Sequence, residues 1–342
     1  MNKADESFIY TLCEQAFPGE RWTMKAGKSG MNNTTRYVET SRGKYVLRIY
    51  ETHRDRDKVE VEHEILKQLS RMDLPFRVPK PYEVNGSTIM YVQDSDQIAS
   101  WCEFIPGDNP VFDREDTVIS FGRVTGELID AFESMRLDKP VIYPPYYELD
   151  KAHPSCPPEK IAAFCEAPGA VFHVYQSGLK RVKEQLEVLA QWLPRMRALP
   201  HHMIHGDLNA SNVLTSDGVN LDAVLDFEFA TRDVRVMELA VALSELTAKE
   251  LNQTVFWDMV HCFTQGFAEK KRLSKLELEA VPILMKLRRL DVFVHFLGRY
   301  LDGVDDHDVL LQGIFESTLN SLHGPQVEGA KWERCIQVLE QA

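Results

Sequence analysis

The stretch from His205 to Phe229, HGDLNASNVLTSDGVNLDAVLDFEF, holds two carboxylates and a carboxamide at spacings that suit one kind of reaction. Asp207 and Asn212 form an Asp-x-x-x-x-Asn pair, Val213 to Thr215 reads as a strand, and Asp217-Gly218 is a turn signal. Leu221 to Leu225 reads as a second strand, with Asp226 at its exit. Closing that hairpin brings its ends together, so Asn212 and Asp226 are expected to share a cation with Asp207 one loop away. Hard oxygen donors of this type suit Mg²⁺, which keeps several waters and takes further ligands from phosphates. Phosphoryl transfer needs charge neutralisation and in-line positioning more than covalent chemistry. In that chemistry Asp207 orients an acceptor hydroxyl and takes its proton, while Asn212 and Asp226 hold the metal. Each residue alone would be explained as a turn cap or a strand end; three at this spacing around an Asp-Gly turn point to a site.

The same residues carry a family likeness. HGDLNASN followed by LDFE resembles the aminoglycoside phosphotransferase and choline kinase superfamily, which includes bacterial homoserine kinases. The likeness runs from the Gly27 loop to about Tyr300 and is specific in these two motifs. It implies an α+β, two-lobed, protein-kinase-like fold and transfer of the γ-phosphoryl group of ATP, with Mg²⁺, to a hydroxyl of a small molecule. By that resemblance Asp207 is the catalytic aspartate, Asn212 and Asp226 are the metal ligands, and His205 steadies the catalytic loop. Asn209 and Ser211 stand where the family often has His and Gly. Glu228 replaces the Gly that protein kinases place after their metal-binding Asp, which favours the small-molecule branch over a protein kinase. The intact Asp207, Asn212 and Asp226 count against a nucleotide-binding pseudokinase.

A phosphate grip is expected from the strand Lys44 to Tyr50, where Arg48 stands in the place of the family's usual Lys. Alternation puts Val46 and Arg48 on one strand face. Val46 would line the adenine pocket and Arg48 would reach the α- and β-phosphates, backed by Glu62, with Glu64 as the alternative. A solvated strand charge is the plainer reading of Arg48, and a solvated helix face that of Glu62. Ala26 to Asn33, AGKSGMNN, resembles the family's loop over ATP, with Gly27 and Gly30 permitting close approach of backbone N–H groups to phosphate; two glycines in such a stretch also suit an ordinary turn. Trp101 to Phe104 is the expected hinge, with backbone groups of Trp101 and Glu103 bonding adenine as an added strand would. Glu238 would tie down the catalytic loop, as in the family, or serve as a helix-start carboxylate. The helical tail in which Arg288, Arg289, His295 and Arg299 interrupt apolar positions is a candidate contributor to the substrate pocket, with three of the four expected at the surface.

These side chains need a scaffold, and the patterning supplies one. Phe8, Ile9, Leu12 and Ala16 recur at helical spacing and stop at Pro18-Gly19. Thr35 to Thr40 and Lys44 to Tyr50 read as a hairpin turning at Ser41-Arg42-Gly43, followed by a helix from Lys58 to Leu69. Ser87 to Gln93 and Ala99 to Phe104 read as strands, and Pro106-Gly107 closes a first lobe, residues 1–105. Residues 106–342 form a mostly helical second lobe, interrupted by a loop-rich insertion from Leu137 to Gly169 with seven prolines. Among 342 residues, 39 are basic and 52 acidic, a net charge of −13 that argues against a nucleic-acid or anionic-membrane binder. The six cysteines are scattered without metal-site spacing, and reduced thiols in a cytoplasmic protein are expected. The start lacks a signal-peptide core, and Val281 to Leu301 is broken by Lys286, Arg288, Arg289, Asp291 and Arg299. The expected partner is a hydroxylated small molecule, with an amino alcohol, an amino acid such as homoserine, a sugar and an aminoglycoside all open. The oligomeric state is also left open.

Overall fold

A computed structural model of the chain describes residues 6–27, 33–51, 55–91, 97–309, 318 and 325–341. The chain forms two compact units. The first comprises Met1–Asp108, Met135–Ile142 and Asp222–Glu228; the second comprises Asn109–Ser134, Tyr143–Leu221 and Phe229–Ala342.

In the first unit, helix α1 (Glu6–Ala16) precedes strands β1 (Trp22–Ala26), β2 (Asn33–Thr40) and β3 (Gly43–Tyr50). Helix α2 (Arg56–Leu69) and strands β4 (Pro81–Tyr82), β5 (Ile89–Tyr91) and β6 (Ile98–Glu103) follow. The six strands make one antiparallel sheet in the order β1-β2-β3-β6-β4, with β5 also on β6. Tyr45, Leu47 and Ile49 point from β3 into a core shared with Ile9, Leu12, Phe17 and Trp101. Burying side chains of this size stabilises the fold by roughly 1.5–3 kcal/mol each. Val46 and Arg48 take the opposite, half-buried face, as the period of two requires. Helix α2 starts two residues ahead of its expected first residue, Lys58, because the Asp55 side chain accepts from the Asp57 N–H as an N-cap.

The expected single cut after residue 105 differs from the observed partition. Segment Asp222–Glu228 belongs with the first unit because Ala223 forms a parallel bridge with Arg77. Around it, Arg77 N–H donates to the Asp222 carbonyl at 2.8 Å and Val224 N–H to the Arg77 carbonyl at 2.9 Å. Met135–Ile142 is likewise held by α2, where Gln68 Nε2 donates to the Arg136 carbonyl (2.6 Å) and Glu64 accepts from the Asp138 N–H (2.8 Å).

The second unit contains α3 (Glu115–Glu133), α4 (Pro158–Glu166), α5 (Gln176–Ala198), and strands β7 (His201–Ile204) and β8 (Val213–Thr215). Strand β9 (Leu221–Val224) begins there and runs into the first unit. Then come β10 (Thr231–Val234), α6 (Met237–Thr247), α7 (Gln253–Ala268), α8 (Lys275–Leu301) and α9 (Gly329–Gln341). Helices α3 and α7 touch through glycines: a Cβ on Gly122 would lie 2.0 Å from the Phe263 carbonyl, and one on Gly266 1.9 Å from that of Ile119. β7 and β10 pair antiparallel, Ile204 opposite Thr231. Neither is announced by the sequence, since HHMI and TRDV lack the run of β-branched residues that marks a strand. The expected loop from Leu137 to Gly169 in fact contains α4. Among the described residues, no helix is long and apolar enough to cross a membrane. All six cysteines are free thiols.

Candidate active site

The loop between β7 and β8 is shaped from within. Asn209 accepts the Ser211 N–H at 2.8 Å and caps the short 3-10 turn Ala210–Asn212. Asn109 Nδ2 lies within 3.2 Å of the carbonyls of Ala210, Ser211 and Val213, bracketing the turn from outside. Asn212 Nδ2 donates to the Asp207 carbonyl at 2.8 Å and to Asp207 Oδ2 at 3.0 Å. His205 is fully buried, and its Nδ1 accepts from the Asp207 N–H at 3.2 Å. Gly206 has φ +78°, the left-handed region that glycine enters without penalty. Glu238, in the first turn of α6, directs Oε2 at the N–H groups of His205 (2.5 Å) and Gly206 (3.4 Å). Both readings of Glu238 thus hold at once; it opens a helix and ties down the loop. Burial raises its pKa, against the opposing pull of His205 and the two N–H groups.

Side chains distant in sequence meet this loop within the second unit. Arg288 of α8 donates from Nη2 to Asp207 Oδ1 at 2.6 Å, from Nη1 to the Tyr146 hydroxyl at 2.8 Å and from Nε to Glu245 at 3.2 Å. Tyr146 in turn donates its hydroxyl to the Gly206 carbonyl, and its N–H to Asp233 at 2.6 Å. Burial opposes the Arg288 charge, but the surrounding Tyr146, Glu245, Asp207 and Asp291 hold its pKa well above the ordinary value. Asp291, one turn along α8, is pushed by burial to about 6. The expectation that three of Arg288, Arg289, His295 and Arg299 lie at the surface is overturned, since the three arginines are 9%, 8% and 8% exposed. Each has a partner that makes burial tolerable: Asp207 for Arg288, Ser244 for Arg289 at 3.2 Å, and Asp305 for Arg299 at 2.6 Å. The only sequence signals for Tyr146 and Arg288 are a tyrosine cluster in a Pro-rich stretch and a charge breaking an apolar helix.

In the first unit, Arg48 donates from Nη1 to Glu62 at 2.9 Å and from Nη2 to Asp226 at 2.7 Å. Glu64 is directed elsewhere, to Gln68 and the Asp138 N–H. Burial disfavours charge on Arg48, yet Asp226 and Glu62 hold its pKa well above the usual value. Glu62 itself is raised by burial to about 7, with Arg48 pulling the other way. Asp226 has φ +63°, a left-handed conformation that costs a non-glycine residue energy and tends to occur at functional positions. Two residues on, Glu228 accepts from Asn33 Nδ2 at 2.7 Å, so the residue that replaces the protein-kinase Gly is held in place.

The other residues expected at the nucleotide divide. Val46 shares the face of Arg48. Gly27 N–H donates to the Thr35 carbonyl at 3.0 Å, and a Cβ there would lie 2.7 Å from Thr35 Cγ2, so the chain passes where a side chain would crowd it. Gly30 lies outside the described residues. Trp101 is corrected: β6 is a middle strand with Leu47 on one side and Tyr82 on the other, so no strand can add at Trp101. Its side chain is fully buried in the core. At Glu103 the N–H is already taken by the Lys80 carbonyl at 3.1 Å.

The oxygen donors fit Mg²⁺ in kind. The Asn212 amide nitrogen is committed to Asp207, which leaves Oδ1 as its acceptor, in reach of the Ser211 hydroxyl at 3.3 Å. Among the described residues, Asp226 Oδ2 makes no hydrogen bond or ion pair, Arg48 having engaged Oδ1. The carboxamide oxygen in the second unit and the carboxylate oxygen in the first are each of the kind a hard cation takes when phosphate and water complete its shell.

Comparison with known proteins gives the family and the fold. The model of the phosphotransferase enzyme family, APH, matches residues 23–255. The chain is 24% identical over 269 residues to a homoserine kinase of Bradyrhizobium sp. (strain ORS 278), covering 78% of this chain and 77% of the relative. A homoserine kinase of Sinorhizobium medicae (strain WSM419) is 24% identical over 290 residues, covering 83% and 81%. Among solved structures, the amicoumacin kinase hAmiN in complex with AMP-PNP, Ca2+ and Ami superposes with TM-score 0.72 at 13% identity, covering 96% of this chain and 97% of that one. A microcompartment-associated aminopropanol kinase gives TM-score 0.68 at 15% identity, with coverage of 92% and 95%. The small antiparallel sheet and the helical part are thus those of the protein-kinase-like fold. Because the matched residues take in both the HGDLNASN and the LDFE motifs, the chain belongs to the phosphotransferase enzyme family and is an ATP-dependent small-molecule kinase.

Proposed function

We propose that this kinase transfers the γ-phosphoryl group of ATP to the hydroxyl of a small amino alcohol or hydroxylated amino acid, with Asp207 as the base. The observation that carries the reading is the Asp207 carboxylate itself, whose Oδ2 is fixed by Asn212 at 3.0 Å and Oδ1 by Arg288 at 2.6 Å. A carboxylate held at both oxygens is fixed in orientation, and an acceptor hydroxyl bonded to it is aligned and loses its proton as the new P–O bond forms and the bond from the γ-phosphorus to ADP breaks. Arg48, backed by Glu62, grips the α- and β-phosphates, and Val46 covers adenine. Asn212 and Asp226 would hold Mg²⁺, which when bound neutralises charge on the transferred phosphates. The acceptor class is supported by the homoserine kinases among the relatives and by the aminopropanol kinase among the structural neighbours. Use of ATP on such an acceptor suits a cytoplasmic enzyme.

The test is phosphorylation of L-homoserine, 1-amino-2-propanol, a sugar and an aminoglycoside by the wild type and by Asp207→Asn. The variant should bind ATP normally and turn over about 10²- to 10⁴-fold more slowly, the range for a lost general base. More than half of wild-type turnover in Asp207→Asn would remove Asp207 from the mechanism.

A further inference from the structure

We infer that Arg288 is the positioning residue of the catalytic aspartate, fixing the Asp207 carboxylate and, through Tyr146, locking it to the backbone of its own loop. The inference rests on the reading of Asp207 as the base.

Arg288 spends its planar fork on three different partners. Nη2 meets Asp207 Oδ1 at 2.6 Å, Nη1 meets the Tyr146 hydroxyl at 2.8 Å, and Nε meets Glu245 at 3.2 Å. The guanidinium carbon also lies 5.7 Å from the centre of the Tyr146 ring. Because the five N–H donors are coplanar, satisfying three partners at once leaves the guanidinium little freedom. Tyr146 then closes the circuit, its hydroxyl donating to the carbonyl of Gly206, the residue before Asp207. Its backbone N–H is anchored on Asp233 at 2.6 Å. Asp207 is therefore held from two sides, by Asn212 five residues along the chain and by Arg288 81 residues away, and any rotation about its Cβ–Cγ bond breaks both contacts.

A buried arginine with this connectivity costs desolvation that its carboxylate partners offset, and removing it alone would leave Asp207 and Glu245 without their cation, so a stability loss accompanies its replacement. Its geometry also serves alignment, where a displacement of about 1 Å is worth on the order of 10²-fold in rate.

The experiment is steady-state kinetics on the full chain with ATP and either L-homoserine or 1-amino-2-propanol. Turnover is read as ADP release, so that transfer to water is counted if neither acceptor is taken. Arg288→Met should lower kcat by about 10²-fold while leaving the KM for ATP within about threefold. Arg288→Lys should recover part of the loss, since one ammonium cannot span three partners. The double variant Arg288→Met with Asp207→Asn should be no slower than Asp207→Asn alone, because a residue acting through another adds nothing once that other is gone. Losses that multiply, or an Arg288→Met enzyme with more than half the wild-type kcat, would overturn the inference. Should Arg288→Met not fold, Tyr146→Phe and Arg288→Lys carry the test: both should fold and lose kcat several-fold with ATP KM unchanged, and wild-type kcat in both would overturn it. If Asp207→Asn itself keeps turnover, the assignment of the base has failed; if only the Arg288 and Tyr146 variants are silent, that assignment stands and this one falls.

Discussion

Arg48 and Asp226, 178 residues apart in sequence, are joined by an ion pair of 2.7 Å, while the same guanidinium holds Glu62 at 2.9 Å. The residue placed on the phosphates and a residue placed on the metal are thus in direct contact within the first unit. Replacing Arg48 leaves two carboxylates without their cation. Arg48→Met is expected to raise the KM for ATP, lower kcat and cost about 2–3 kcal/mol of stability, somewhat less than a fully buried pair because the Arg48 side chain keeps 21% exposure. Lysine should restore only part, and Glu62→Gln should add little on top of Arg48→Met. Glu64→Gln, whose carboxylate serves Gln68 and Asp138, is the control and leaves ATP kinetics unchanged. Kinetics with varied ATP and urea unfolding check this; wild-type KM with a stability change under about 0.5 kcal/mol would mean that Arg48 is only a strand charge.

Removing the Asp226 carboxylate tests the metal assignment separately from the phosphate grip. Arg48 would still pair with Glu62, so Asp226→Ala should fold. It should lose Mg²⁺-dependent ATP binding, because Mg²⁺ has few protein ligands to spare. Titration calorimetry with ATP, with and without Mg²⁺, reads the outcome; an unchanged Mg²⁺-dependent affinity would free Asp226 of that role.

Glu238 is fully buried and accepts from two backbone N–H groups of the catalytic loop. Glu238→Ala would strand both donors in the interior, at about 1–3 kcal/mol each before any relaxation. The expected result is a lower midpoint of thermal unfolding together with reduced kcat, since the loop carrying Asp207 loses its anchor. A midpoint within a degree or two of wild type would show that water replaces the carboxylate there.

Asp233, 1% exposed, gives a pH dependence whose sign can be worked out. Burial raises its pKa from 3.8 to about 7, against the pull of the Tyr146 and Val234 N–H groups. The folded chain therefore binds more protons than the unfolded one between about pH 4 and pH 7, and stability falls with rising pH across that window. The contribution is complete below the unfolded value and is lost as pH rises through the folded one. Unfolding midpoints of wild type should thus decline from pH 5 to pH 8 more steeply than those of Asp233→Asn, which has no proton to lose. Equal slopes in the two proteins would place the titration elsewhere.

The parts legible in the sequence are those with a local code. The period of two in β3 puts Val46 and Arg48 on one face, and the helical period of α2 brings Glu62, fourteen residues on, to Arg48. The HGDLNASN and LDFE runs mark the catalytic loop and the exit of β9 because turn caps and carboxylate spacings are contained in a few consecutive residues. Strand and hinge read alike along the chain at Trp101; that β6 is flanked on both sides is a property of the sheet order, which no local pattern encodes.

The long-range pairings within each unit are of the second kind. Asp207 with Arg288, Asp226 with Arg48, and Tyr146 with Gly206 are separated by 81, 178 and 60 residues. A lone arginine in an apolar helix has the same sequence appearance whether it snorkels to water or finds a carboxylate in the interior. The sequence alone therefore determined the candidate residue types and which faces of their elements they occupy. Tertiary packing decided which distant partner each charge meets, because the desolvation of a charged side chain is made good only by the groups that the completed fold brings against it.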